Sequence, residues 1–206
     1  MAQLDHLIFA SPDLQAGVDH IQGLTGATAI FGGAHVGVGT YNHLLTFDQD
    51  TYFEIIGIDP DQAAPSEPRP FGLDDLAAPA LVGYAIHPTG DESLEDVVGG
   101  MREAGYDPGP ISDMSRAKPD GSILSWRLTR GISAGGALPF AIDWGDADSP
   151  AVSLPSMGGL VSLTVSHPDS AVRASAEALD VGVAVQDGPI GLVAVVDTPN
   201  GPVEIR

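Results

Sequence analysis

Two side chains able to bind a metal or move a proton interrupt otherwise apolar runs: His6 within residues 4–10 (LDHLIFA) and Glu54 within residues 52–58 (YFEIIGI). Side chains alternate across a strand, so Leu4, His6 and Ile8 share one face of the first run. A histidine in that setting is either a hydrogen-bonded core residue or a ligand. Burying an unpartnered carboxylate costs several kcal/mol, roughly, so Glu54 either faces water or meets a cation or polar ligand. His43 depends on the turn between the strands at 41–47 and 52–58. A two-residue turn at Gln49-Asp50 puts His43 on the Glu54 face, one diagonal away. A three-residue loop over Asp48-Gln49-Asp50 reverses that relationship. Residues 33–42 (GAHVGVGTYN) are glycine-rich, which lets backbone approach a ligand, and His35, Thr40 and Asn42 offer polar tips. The run has no lysine and lacks the spacing of a phosphate cradle; a plain turn-rich crossing would look similar.

The elements that must hold these residues follow a plan that recurs three times. Each unit opens with an apolar strand (4–10, 81–86, 160–165), passes a proline (Pro12, Pro88, Pro168), forms a helix and ends in strands. Ser11-Pro12-Asp13 reads as a helix start, with Ser11 as cap, and Leu14, Val18 and Ile21 form the buried stripe. The expected class is α+β: repeated βαβββ modules, about 1–59, 80–146 and 158–206, joined by Pro/Gly/Ala-rich connectors within one region spanning 1–206. Gly131-Ile132-Ser133-Ala134-Gly135 spells a nucleophile elbow, but it leads toward another strand instead of a helix and reads as a turn.

Composition narrows the function classes. Of 206 residues, 8 are Lys or Arg and 28 are Asp or Glu, a net charge of −20 that repels phosphate backbones and anionic lipid. Nucleic acid and membrane are therefore not expected partners. The absence of cysteine removes disulfides, thiolate metal sites and a cysteine nucleophile. No run reaches the roughly 18 apolar residues of a membrane span, and no leader is visible, so a cytoplasmic protein is expected.

The strings LDHLIFASPDL, HVGVGTYNHLL and YFEIIG, in that order, resemble the glyoxalase-like proteins of the vicinal oxygen chelate superfamily over residues 3–59. The remainder resembles them through the βαβββ plan alone. The resemblance implies curved mixed sheets that form a half-open barrel around a divalent metal, with ligands from the first and last strands of each module. Carried onto this chain, His6 and Glu54 match the ligands of module one. Their counterparts are Gly83 and Ala141 in module two, and Ser162 and Glu204 in module three. The implied metal set is His6 and Glu54 with His43 or Glu204, binding Zn, Mn, Fe or Ni and leaving positions for substrate. The implied activity is a metal-dependent lyase, isomerase or dioxygenase acting on a small oxygenated metabolite. Glu54 or Glu204 would move a proton where not a ligand. His35, Asn42, Trp126 and Arg127 are candidate substrate contacts, Tyr84 and Trp144 further walls, and Arg130 a second candidate for a substrate carboxylate. The alternative is a metal-free protein that binds a small molecule in the same concave sheet. The modules pair within one chain or across a homodimer.

Overall fold

Residues of β1 (Gln3–Ser11) are buried on both faces from Asp5 onward, which a strand achieves only with something packed on each side. The computed structural model describes residues 2–47, 50–117, 121–131 and 134–206; Ser133 of the elbow-like run lies outside them. After β1 come α1 (Leu14–Thr25), β2 (Ile30–His35), β3 (Thr40–Thr46) and β4 (Tyr52–Ile58). The second unit is β5 (Ala80–His87), α2 (Leu94–Glu103), β6 (Ile111–Ala117), β7 (Ile123–Thr129) and β8 (Phe140–Asp143). The third is β9 (Gly159–Ser166), α3 (Ser170–Ala178), β10 (Ala184–Gln186), β11 (Gly191–Thr198) and β12 (Gly201–Ile205).

The first two units share one winding and join through β1 and β5 into a single eight-stranded sheet, ordered β2-β3-β4-β1-β5-β8-β7-β6. The sheet curls into a nearly closed barrel whose unsealed seam lies between β2 and β6. Arg116 of β6 crosses that seam and donates to the Gly32 carbonyl of β2. The third unit has the expected element order but a different strand order, β10-β9-β11-β12, and forms its own sheet.

Helices begin where backbone donors find side-chain acceptors. Asp13, not Ser11, caps α1, accepting from the Ala16 amide. Ser93 and Asp96 form a reciprocal capping box at α2. The α1 stripe of Leu14, Val18 and Ile21 is buried against the outer face of the barrel, where Leu7, Phe9, Phe53 and Ile55 belong to the same core. Gly17 and Gly57 permit this approach: a Cβ on Gly57 would sit 2.6 Å from Leu14 Cβ. Leu163, Val165, Ala194 and Val196 of the third unit join that outer core. The opposite parity of the strands is thereby turned into the barrel's lumen.

Candidate active site

Parity sends Ile8, Tyr52, Glu54 and Ile56 into the lumen, since the parallel β1–β4 register sets His6 beside Tyr52 and Ile8 beside Glu54. At the start of β1 the antiparallel pairing with β5 slips by one residue, Leu4 facing Ile86 and His6 facing Ala85. Asp5 is the extra residue of that bulge. Its carboxylate is thereby turned toward the ring of its own neighbour: Oδ1 accepts from His6 Nδ1 at 2.6 Å and Oδ2 from the Trp144 indole at 3.1 Å. His87 Nδ1 lies 3.0 Å from Oδ2. Burial works against the ionised Asp5, but the contacts with His6 and His87 outweigh it and hold the carboxyl at about 2. An ionised Asp5 fixes the proton of His6 on Nδ1 and leaves Nε2 to face the lumen.

His6 Nε2 lies 3.7 Å from Glu54 Oε2. On the other side of the same carboxylate, Asn42 Nδ2 donates to Oε1 at 2.6 Å and lies 3.4 Å from His35 Nε2. The reverse amide orientation would set an oxygen against the carboxylate, so the nitrogen belongs there. His35 Nδ1 meets Thr40 Oγ1 at 2.9 Å, and burial pushes its pKa below the usual histidine range despite the nearby Glu54 charge. Asn42 Oδ1 is buried without a hydrogen-bond partner among the described residues, pressed against Gly32, where a Cβ would come within 2.3 Å of it. Tyr52 stacks on His6 at 4.4 Å, and burial, with the charges of Asp5 and Glu54, keeps its phenol protonated well above the ordinary range. Glu54 itself is 7% exposed.

These groups form one wall of a cavity of about 490 Å³. Phe140, Ile142, Trp126 and Trp144 also line it, and Arg116, Arg130 and Glu67 reach it. A proline-rich strap, including Pro65, Pro68 and Phe71, also lines the cavity. Arg69 ties the strap to the β2–β3 turn by donating to the Gly39 carbonyl, while Gln62 reaches Thr40 O.

A family model described as a glyoxalase-like domain matches residues 4–180. The chain belongs to the glyoxalase-like family. A hypothetical protein from Staphylococcus aureus shares its fold over 100% of this chain and 99% of the other, with a TM-score of 0.66 and 11% identity. Methylmalonyl-CoA epimerase from Mycobacterium tuberculosis is 16% identical, covering 68% of this chain and 86% of that one at a TM-score of 0.43. A single-residue variant of the Streptomyces coelicolor epimerase, in complex with 2-nitronate-propionyl-CoA, is 16% identical at 0.45, over 68% and 95%. At such identity the first of these likenesses speaks to fold alone. No curated protein sequence matches the chain at a significant level.

Within this glyoxalase-like barrel, His6, Glu54, His35, Asn42 and Trp126 are brought together and four expected residues are not. The β3–β4 hairpin closes through three residues, with Phe47 N bonded to Thr51 O, so Leu44 and not Leu45 faces Glu54. His43 is thereby turned to the other face of β3, where its ring meets Phe31 edge-on at 5.6 Å. Arg127 points outward from β7 and pairs with Glu95 of α2. Glu204 lies on β12 of the separate sheet, exposed and 2.7 Å from Arg206. Tyr84 is buried in the outer core, donating to Ala137 O, and not a cavity wall. Sequence reasoning missed Asp5 and Arg116. An acid within an apolar strand, next to a histidine, was the available signal for Asp5; β6 (ISDMSRA) lacks the alternation that would have found Arg116.

The implied divalent ion can be tested against this arrangement. Imidazole and carboxylate are suitable donors. Their placement is not suitable: His6 and His35 approach different oxygens of Glu54, at 3.7 and 4.0 Å, and the Asn42 amide already fills the space between His35 and Glu54. Among the described residues no group of three His, Asp or Glu side chains could hold a metal ion.

Proposed function

We propose that this protein is a glyoxalase-like isomerase or lyase that moves a proton on a small oxygenated metabolite, with Glu54 as the general base. The observation that carries this reading is the buried Glu54 carboxylate inside an aromatic cavity, held by Asn42 and flanked by His6 Nε2. A low-dielectric setting strengthens a base toward a weak carbon acid, because water no longer solvates the carboxylate. Glu54 takes a proton from a carbon next to a carbonyl, and the C–H electron pair moves into an enolate. In an isomerisation of a hydroxy carbonyl the hydroxyl proton passes to the enolate oxygen while Glu54 returns its proton at the former carbonyl carbon; in a lyase reaction the enolate pair forms the new C=C bond as a β-substituent leaves with the electrons of its own bond to carbon.

The other side chains prepare this step. Asn42 holds Oε1, leaving Oε2 as the oxygen that takes the proton. Asp5 orients the His6 ring, so Nε2 can accept a hydrogen bond from a substrate hydroxyl or exchange a proton with Glu54. The tryptophans and Phe140 exclude water from the bound molecule. The Zn, Mn, Fe or Ni ion that the family resemblance implies does not fit the spacing of His6, His35 and Glu54, and no step here is routed through it. The same cavity would serve the alternative role of metal-free sequestration, and Glu54 is the feature that favours chemistry over storage.

The test is solvent exchange. In D2O, lactate, malate, glyceraldehyde and dihydroxyacetone are followed by proton NMR with wild-type protein and with Glu54→Gln. Deuterium incorporation at the α-carbon of at least one compound, lost in Glu54→Gln, is the expected result. Equal exchange by both proteins, or none by wild type with any compound, would overturn the base assignment.

A further inference from the structure

Cations are scarce in this chain, 8 Lys and Arg against 28 Asp and Glu, so each finds an abundance of carboxylates within reach. Arg69, Arg102, Arg127, Arg173 and Arg206 are each paired with one, respectively Asp74, Asp107, Glu95, Asp187 and Glu204. Arg116 and Arg130 are the two described arginines without an ion pair to a described residue, and both line the cavity that holds Glu54. Their present partners are weak or partial. Arg116 spends one nitrogen on the Gly32 carbonyl, and Arg130 Nη2 touches the Met114 thioether at 2.9 Å. A guanidinium carries five N–H donors in a planar fork, so most of the donors on both residues remain open among the described residues. Two such forks reach one cavity whose lining also carries Glu54 and Glu67, so a protein of charge −20 gathers its two unpaired guanidiniums at this one place.

We infer that the cavity takes a monocarboxylate anion, its charged end held by Arg116 with Arg130 at the rim and its uncharged remainder against Trp126 and Phe140. The inference rests on the proposed site and names its substrate class. It also supplies a reason for two charges of opposite sign in one cavity. Arg116 lies within electrostatic reach of Glu54, so the guanidinium takes the anion while the carboxylate is left for the carbon. Arg116 is held by the carbonyl across the barrel seam, which fixes its fork before the ligand arrives and lowers the ordering cost of binding.

The molecule carries its own reporter, since both of its tryptophans, Trp126 and Trp144, line this cavity. Benzoate and benzamide, nearly equal in shape and different in charge, are titrated against intrinsic fluorescence. Benzoate is expected to bind at least about tenfold more tightly than benzamide, as a charge-assisted contact in place of a neutral one implies. That margin is expected to shrink with added salt, to fall in Arg130→Gln, and to vanish in Arg116→Gln. Arg116→Lys, which keeps the charge and the reach to Gly32 but not the fork, guards against a folding defect; it is expected to retain part of the preference. Equal affinity for the two probes, no response to benzoate, or an Arg116→Gln protein that is folded and keeps the full preference would overturn the inference. Glu54→Gln separates this result from the proposed chemistry. It removes exchange if Glu54 is the base, yet keeps or strengthens benzoate binding if the arginines set the ligand class.

Discussion

Asp5→Asn isolates the residue that orients the site while changing only an oxygen to an amide. The ionised carboxylate is held at about 2, against 3.8 for an aspartate in a free chain. At about 1.4 kcal/mol per unit, that difference makes the charged form worth about 2 kcal/mol to the fold at neutral pH. The sign follows from the direction. A lowered folded pKa gives stability that is complete above the unfolded value and lost as pH falls through the folded one. By pH 3 about half of it is gone. Asparagine adds a second, pH-independent cost. Asp5 offers acceptors to both His6 Nδ1 and the Trp144 indole, whereas an amide has one acceptor oxygen and sets its NH2 against the other donor. Urea denaturation at pH 7 and pH 3 reads both parts. The variant should be less stable at both pH values, and the gap should narrow by about 1 kcal/mol at the lower one. Solvent exchange of the substrate proton should fall as well, because His6 loses the partner that sets its tautomer. A stability gap unchanged between the two pH values would refute the charge argument, and undiminished exchange would refute the orienting role.

Other expectations follow from the same geometry. Burial lowers the His35 pKa, so the unfolded chain binds that proton first; stability should decline as pH falls through the ordinary range near 6.5, and His35→Gln should flatten the decline in urea midpoints. Gly57→Ala drives a Cβ to within 2.6 Å of Leu14 Cβ and 3.0 Å of its Cα, a clash expected to cost about 1–3 kcal/mol in chemical denaturation. Gly23→Ala, on α1 with nothing within 4 Å, should instead stabilise by about 0.5–1 kcal/mol. Arg127→Ala, which removes only an exposed pair with Glu95, should leave the melting temperature and solvent exchange at wild-type values. Dialysis against a chelator should leave exchange intact; its loss, restored by one added divalent ion, would return the metal to the mechanism.

The α+β class, the βαβββ order and the pairing of His6 with Glu54 were legible because they rest on period and on charge. A carboxylate within YFEIIGI and an imidazole within LDHLIFA stand out wherever the strands run. The strand order of the third unit was not legible, since β9, β10 and β11 present the same apolar alternation whichever neighbour they take. β2 escaped for the opposite reason: its central Gly32-Gly33 reads as a turn, and only the structure shows that Asn42 needs that bare backbone beside its side chain.

What the sequence left open was phase, and two one-residue steps decide it. A third residue in the β3–β4 loop exchanges the faces of His43 and Asn42, and with them the character of the site. Asn42 stands on the Glu54 face in place of His43, and its amide donates a hydrogen bond to the carboxylate from the side of His35. The bulge at Asp5 makes the complementary shift on β1, placing a carboxylate on the histidine ring where regular alternation would have sent it away. Neither step changes the hydrophobic pattern of its strand, because both faces of β1 and β4 are buried and the pattern cannot report which way a polar residue points. The chemistry of this barrel is therefore set by register, one residue at each end of the site, while composition sets only what the register has to work with.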